Sequence, residues 1–317
     1  MITRRLLRPA RAFAVAVRSS TPSAPARTFS ISHPRPQHNV PTLNYHEHFE
    51  AKGVNGLFDF QGYEIAWTQY QTILTEKLNE LVAGEPFEHA LPQDLIMRFA
   101  RDPMNAAVFN YASAAHNNHH FFKTLSPSPL RLSNCPALET SLISAFGSME
   151  TLRMTFLDTA AAMFGPGYVW LVWTKNPLDN SANTSMAASA RNSGSGGGWR
   201  ILTTYLAGTP YAGAGYHRQQ SRDMNTQSPF SQPPSASQSL GAFGRYSDSA
   251  RASATTPPGG TIVHPVLCVS TWEHTYIYNY GLMGKREYLE KWWDVIDWGV
   301  VDQETPTTAK SQLAFSR

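Results

Sequence analysis

The chain has 317 residues, of which 42% are hydrophobic, 12% aromatic and only 15% charged, and its formal net charge is +3. This composition excludes wholesale disorder and a collagen-like fibre, and the presence of only two cysteines excludes a disulfide framework or a four-thiolate zinc site. No uncharged apolar run approaches the roughly 20 residues of a membrane-spanning helix, so we expect no membrane partner.

The first 46 residues contain seven arginines and no acidic residue, interleaved with Ala, Ser and short apolar pairs. This pattern is typical of a mitochondrial transit peptide, which is removed after import. Arg27 lies two residues before Phe29, as in matrix-protease sites, so we assign 1–29 to the transit peptide and 30–56 to an N-terminal extension. Cleavage there would remove six arginines and change the formal charge from +3 to −3. A disordered basic arm that binds nucleic acid is the alternative.

Helical periodicity predicts a helical hairpin domain over residues 57–126. One apolar stripe runs through 57–83, and a second, from 104 to 125, has spacings of three and four residues. Asn118 falls on this second stripe, so we expect its side chain to point inward.

An α/β domain is predicted over 127–302, with a C-terminal tail over 303–317. It begins with one long helix over 137–163 and ends with a last helix over 287–298. Between them lie β-branched and aromatic runs of strand length, at 168–173, 199–205 and 264–271. Helices followed by a small sheet with flanking helices predict an α+β fold, not a doubly wound one.

Two segments interrupt this domain, at 176–198 and 212–260. Both are rich in Ser, Gly, Ala, Asn, Gln and Pro and poor in large apolar side chains, so they cannot offset the entropy of ordering themselves. We predict low-complexity surface insertions. The glycine run in the first is not followed by the Lys and Ser/Thr of a phosphate-binding loop.

Residues 268–298, CVSTWEHTYIYNYGLMGKREYLEKWWDVIDW, resemble the C-terminal segment of the iron/manganese superoxide dismutases. The segments NNHHFFKTL (117–125), SAFGS (144–148) and FGPGYVWL (164–171) resemble other parts of that family in the same order. The resemblance implies the family's fold: an N-terminal helical hairpin, and a C-terminal small antiparallel sheet with flanking helices.

The resemblance also implies a metal held by three His and one Asp, as a redox site needs imidazole and carboxylate ligands. Residues 54–87, where the first ligand is expected, contain no His. Asn118 and Ser270 stand at two further ligand positions, and only His274 matches. The glutamine that contacts metal-bound solvent would fall near Gly208. We therefore expect degenerate ligand positions, no metal, no cofactor and no catalysis.

His119 and His120 could supply a ligand only if the helix slipped by one residue, which would turn its aromatic face about 100° from the core. We expect both to make surface or interface polar contacts. We expect His274 to be a core histidine with a hydrogen-bond partner.

In the resembled family, the Glu of the Trp-Glu-His motif crosses the two-fold interface. Glu273 and His274 are therefore predicted dimer-interface residues, with a local cap or ion pair of Glu273 as the alternative. Ile277 replaces a second interface Tyr, which favours pairing with a related but different chain over a homodimer.

The combination of a transit peptide and a metal-free dismutase fold makes this chain similar to the fungal-type mitochondrial small-subunit ribosomal proteins of this family. In that group, two paralogues pair with each other. This implies a non-catalytic structural constituent of the small ribosomal subunit in the mitochondrial matrix. The implied partners are a paralogue, other small-subunit proteins and, through the insertions or the 303–317 tail, limited rRNA. The alternatives are an active matrix Mn/Fe superoxide dismutase with a displaced metal site and a free-standing binding protein.

Overall fold

The computed structural model describes four stretches of the chain: residues 38–100, 102–175, 197–211 and 262–310. The predicted transit peptide 1–29 lies outside the described residues. So does almost all of the two predicted insertions, 176–198 and 212–260.

The N-terminal part is helical, as the periodicity predicts. Its helices are α1 (His46–Lys52), α2 (Phe60–Tyr63), α3 (Tyr70–Val82), α4 (Pro92–Phe99) and α5 (Ala106–Lys123). The periodicity did not reveal α1 and α4, because helices of seven and eight residues are too short to show a stripe.

A π-helical turn, Glu64–Gln69, joins α2 to α3, so the backbone is helical from Phe60 to Val82. Asp59 caps the start of this rod, its Oδ1 accepting a hydrogen bond from Gly62 N at 2.7 Å. Helices α3 and α4 pack against α5, and so does a strand, Ile262–Ser270. Most side chains in the second half of α5 are consequently buried.

The prediction of a single helix over 137–163 is wrong. The chain forms α6 (Pro136–Phe146) and α7 (Met149–Ala162), separated by Gly147 and Ser148. Gly147 has φ of 83°, a left-handed conformation that ends a helix, and Ser148 starts the next one by accepting a hydrogen bond from Thr151 N at 3.0 Å.

The sheet has three antiparallel strands in the order β2-β1-β3. They are β1 (Gly167–Lys175), β2 (Gly198–Tyr205) and β3 (Ile262–Ser270), close to the predicted runs. The central strand is buried from Tyr168 to Trp173, as expected for a strand covered on both faces. The α+β order with a small antiparallel sheet is confirmed.

Four helices follow the sheet: α8 (Glu273–Tyr280), α9 (Lys285–Asp294), α10 (Trp298–Glu304) and α11 (Thr307–Lys310). The last helix predicted over 287–298 is therefore split. Asp297 interrupts it and caps α10, accepting a hydrogen bond from Gly299 N at 2.9 Å. Ser141 Oγ donates to Ala309 O at 2.7 Å, so the start of the predicted tail packs against α6.

One large core joins α1, α2, α5 and α7 to the sheet and to the C-terminal helices, and a smaller one lies between α3, α4 and α5. Cys135 and Cys268 are free thiols. Within the described stretches we find no helix with the length and apolar character needed to cross a membrane.

Candidate functional site

Asn118 stands at a position where the resemblance implies a metal ligand. It is fully buried on α5, as its position on the apolar stripe predicts. Its Nδ2 donates to Gln71 Oε1 at 3.0 Å and, more weakly, to Ala66 O at 3.4 Å. Gln71 Nε2 in turn donates to Ala115 O at 3.1 Å. The two amides thus tie α3 to α5.

The sequence analysis did not single out Gln71, although a signal for it exists. Gln71 shares the inward face of α3 with Leu74 and Leu78, at spacings of three and four residues. A polar residue within a buried apolar stripe needs an internal partner, and the inward-pointing amide on α5 is that partner.

Ser270 closes β3 and is also fully buried. Its hydroxyl lies 2.9 Å from Thr275 Oγ1 and accepts from Trp272 N at 3.3 Å, while its carbonyl accepts from Tyr288 OH at 2.9 Å. Through these bonds Ser270 connects the end of β3 to the helices α8 and α9.

His274 is held by aromatic rings. Its ring centroid lies 4.0 Å from that of Tyr70 and 5.5 Å from that of Trp272. Burial lowers its pKa to about 4, so the imidazole is neutral at pH 7. Contrary to expectation, its Nε2 has no hydrogen-bond partner among the described residues. Tilted ring contacts hold this residue in the place where we expected a hydrogen bond to hold it.

His120 is buried and does not lie at the surface, whereas the surface or interface polar contact predicted for the half-buried His119 stays a prediction. His120 is buried beside Trp170, with ring centroids 5.4 Å apart, and desolvation holds its pKa well below the usual value. His119 lies against Trp67, and burial lowers its pKa to about 4. The prediction for His120 failed because the end of α5 is covered by α3 and by the sheet.

The position expected for a solvent-contacting glutamine is Gly208. Its carbonyl oxygen accepts a hydrogen bond from Asn117 Nδ2 at 2.8 Å, so α5 contacts backbone here. A Cβ at this glycine would lie 2.9 Å from Tyr205 O, too close for an ordinary side chain without a shift of the backbone.

The metal that the fold implies does not fit these residues. Asn118 offers only a neutral amide oxygen, which has no hydrogen-bond partner among the described residues, the Ser270 hydroxyl is engaged by Thr275, and of these three residues only His274 offers an imidazole. In the part of the chain that the structure describes, no three His, Cys, Asp or Glu side chains are grouped so as to hold an ion. The arrangement can tie helices to the sheet, and it offers no set of metal ligands.

Glu273 is the first residue of α8 and is half-buried. No ion pair joins it to another described residue. The loop that follows α8 exposes Leu282 (80%) and Met283 (96%), and the loop before β1 exposes Phe164 (96%). Lys285 Nζ donates to Met163 O at 2.8 Å, which holds these two loops together.

The sequence profile of the C-terminal domain of iron/manganese superoxide dismutases matches residues 134–204 and 247–304. The chain carries a superoxide dismutase-like domain. It is 27% identical to the small ribosomal subunit protein mS43 of Schizosaccharomyces pombe over 273 residues, covering 84% of this chain and 83% of that protein.

The small ribosomal subunit protein mS42 of the same yeast is 27% identical over 231 residues, covering 71% of this dismutase-like chain and 78% of its own length. An iron superoxide dismutase of Entamoeba histolytica is 22% identical over 236 residues, covering 74% of this chain and 84% of the enzyme. The three alignments agree with the fold described above.

Proposed function

We propose that this chain is a non-catalytic structural constituent of the mitochondrial small ribosomal subunit. The observation that carries the proposal is the 27% identity to mS43, which extends over 84% of this chain and 83% of that protein. The superoxide dismutases are somewhat less similar and over less of the chain: the iron enzyme of Entamoeba histolytica is 22% identical over 74% of it, and the manganese enzyme of Listeria monocytogenes 25% over 76%. The Arg-rich, acid-free start of the chain supports a mitochondrial location.

The candidate site supports a role without catalysis. By the resemblance, Asn118 and Ser270 replace two metal ligands and a third is missing from residues 54–87, which leaves His274 alone. The bonds of Asn118 Nδ2 to Gln71 and of the Ser270 hydroxyl to Thr275 join buried groups and so stabilise the fold. The alternative of an active dismutase requires a different set of ligands.

The proposed partner is a paralogous chain of the same fold. Two ribosomal proteins of one yeast, mS43 and mS42, are both similar to this chain, as expected for a pair of paralogues. The proposed pairing surface consists of Glu273 and His274 with the exposed side chains Phe164, Leu282 and Met283. Nearly complete exposure of three large apolar side chains favours burial against a partner.

Sedimentation of a mitochondrial lysate through a sucrose gradient tests the proposal. A ribosomal constituent should sediment with the small-subunit rRNA and shift with it when magnesium is removed. A peak at the size of a free dimer, separate from the rRNA, would contradict the ribosomal role.

A further inference from the structure

Strand β2 lies at the edge of the described sheet, because the strand order is β2-β1-β3 and β2 pairs only with β1. It has eight residues, without a proline and with Arg200 as its only charged residue. Exposed edge strands usually carry several charges, a proline or a bulge, which prevent another strand from pairing with them. Apart from Arg200, the sequence and the register of β2 show none of these features.

The hydrogen bonds between β1 and β2 determine which backbone groups face away from β1. Leu206 N donates to Pro166 O at 3.0 Å, in continuation of the register of the two strands. In an antiparallel pair, every second residue bonds the opposite strand, and the residues between them direct their N–H and C=O groups to the other side. Counting back from Leu206, the even-numbered residues bond β1, whereas Ile201 and Thr203 direct these groups outward. No described residue forms a hydrogen bond with the outward groups of Ile201 and Thr203.

Side chains along most of this strand reach solvent. Arg200 and Thr203 are exposed, and Tyr205 is 52% exposed. Trp199 is the buried residue of the strand, and its Nε1 donates to Ser141 Oγ on α6 at 2.9 Å. An incoming segment can therefore lie along β2 from Arg200 onward.

The chemistry of the edge indicates what it binds. Outward N–H and C=O groups that recur at every second residue are matched by another extended backbone, as in complexes where a peptide adds a strand to a sheet. Arg200 forms no ion pair with another described residue, and the residue opposite it on β1 is the neutral Val172. Opposite charges on facing residues stabilise strand pairing. The edge therefore suits an extended segment with an Asp or Glu opposite Arg200.

Two other occupants meet only part of these requirements. A second copy of β2 could supply an extended backbone, but the strand has no acidic residue, so no register would place a carboxylate opposite Arg200. An RNA strand could supply negative charge, but its phosphates accept hydrogen bonds and donate none. Both the backbone groups and the charge are therefore matched only by an acidic segment of a different protein.

We propose that β2 is a binding edge for another protein, which adds an extended acidic segment to the sheet as a fourth strand. Main-chain groups of this segment bond the N–H and C=O groups of Ile201 and Thr203, and its carboxylate pairs with Arg200. The inference goes beyond the proposed function and does not depend on it, because the proposed pairing surface around Glu273 contains no residue of β2.

Amide hydrogen exchange of the isolated chain, followed residue by residue by NMR, tests whether the edge is free. We expect the amides of Ile201 and Thr203 to exchange at least tenfold faster than those of Leu202 and Thr204, which donate to β1. Equally slow exchange of all four amides would show that another part of the chain already pairs with this edge, and it would overturn the inference.

Fluorescence anisotropy with the full chain tests what the edge binds. The probe is a labelled nine-residue peptide of alternating Val and Thr with a central Glu. One control peptide has N-methyl groups on the two residues beside Glu, whose amides would face β2, and the other has Lys in place of Glu. We expect the Glu peptide to bind at least tenfold more tightly than either control.

Three variants locate the binding. Thr203→Pro removes an outward N–H without breaking a hydrogen bond to β1, so it should weaken binding of the Glu peptide at least tenfold. Its matched control, Thr203→Ala, keeps this N–H and should change the affinity less than twofold. Arg200→Glu should reverse the preference, so that the Lys peptide binds more tightly than the Glu peptide. Circular dichroism checks that each variant is folded.

Equal affinity of the Glu peptide and its N-methylated form, or no binding of either, would overturn the inference, and this comparison needs no change in the protein. So would an unchanged preference in Arg200→Glu. Dimers of the chain that Thr203→Pro abolishes, or displacement of the Glu peptide by oligouridine, would assign the edge to a second copy or to RNA and also overturn it. None of these results bears on sedimentation with the ribosomal subunit, so the two proposals fail separately.

Discussion

The side-chain amides of Asn118 and Gln71, two buried residues, are joined by a hydrogen bond of 3.0 Å. Each amide also bonds a backbone carbonyl on the other helix. The pair therefore connects two helices from within, and it makes each residue dependent on the other.

Replacing one member should be worse than replacing both. Gln71→Leu is expected to lower the free energy of unfolding by about 1–3 kcal/mol, because the Asn118 amide is then buried without its partner. In the double variant Gln71→Leu/Asn118→Leu we expect a loss smaller than the sum of the two single losses. Urea denaturation of the wild type, both single variants and the double variant measures the coupling. Additive losses would show that the two amides act independently.

The chain should not hold a stoichiometric transition metal. After expression in medium supplemented with manganese and iron, we expect wild type and His274→Ala to have the same low metal content by mass spectrometry. The reason is that one neutral imidazole cannot replace a set of three or four ligands. About one ion per wild-type chain, lost in His274→Ala and accompanied by superoxide dismutation, would support the enzyme instead.

Stability should fall in weak acid. Burial lowers the pKa of His116, His119 and His274 from 6.5 to about 4, so between these values the unfolded chain binds more protons than the folded one. Acid then favours unfolding, by about 1.4 kcal/mol per pH unit for each histidine that titrates in this way. Urea denaturation at pH 7, 6 and 5 measures the slope. It should become shallower in His274→Gln, and an unchanged slope would mean that this imidazole is protonated while folded.

The proposed pairing surface can be tested by charge. Met283→Glu and Glu273→Ala should each weaken assembly with a co-expressed paralogue at least tenfold, while the unfolding of the isolated chain changes little. Met104→Glu is a matched control, because Met104 is 89% exposed and Met283 96%, and Met104 lies on the helical part of the chain. Size-exclusion chromatography with light scattering reads out the complex. Full assembly of Met283→Glu would place the partner elsewhere.

The sequence predicted the large elements well, because long amphipathic helices and β-branched strands have strong periodicity. Residues 106–123 and the three strands came close to their observed bounds for that reason. The break at Gly147 was missed because one glycine inside a helical pattern is also compatible with an uninterrupted helix. The inward position of Asn118 followed from spacing alone.

Contacts between segments that are distant in the chain could not be predicted from the periodicity of the sequence. The burial of His120 depends on a strand that lies about 150 residues away in sequence, and no local pattern announces it. The ring contact of His274 with Tyr70 likewise joins two helices that are far apart in the chain. The residue types indicated which side chains could bind a metal or form polar contacts. The tertiary fold determines which other side chains they contact, and the local sequence does not show this.

The π-helical turn Glu64–Gln69 has a consequence for how this chain could change. A π turn accommodates one residue more than an α turn, so the extra residue is taken up within the turn. Deleting one residue there and restoring ordinary α geometry should therefore leave Tyr70 and Gln71 facing the same way, against His274 and Asn118. Winding the same residues into an α-helix without a deletion would instead turn both side chains by about 100° around the helix axis and break two separate long-range contacts at once.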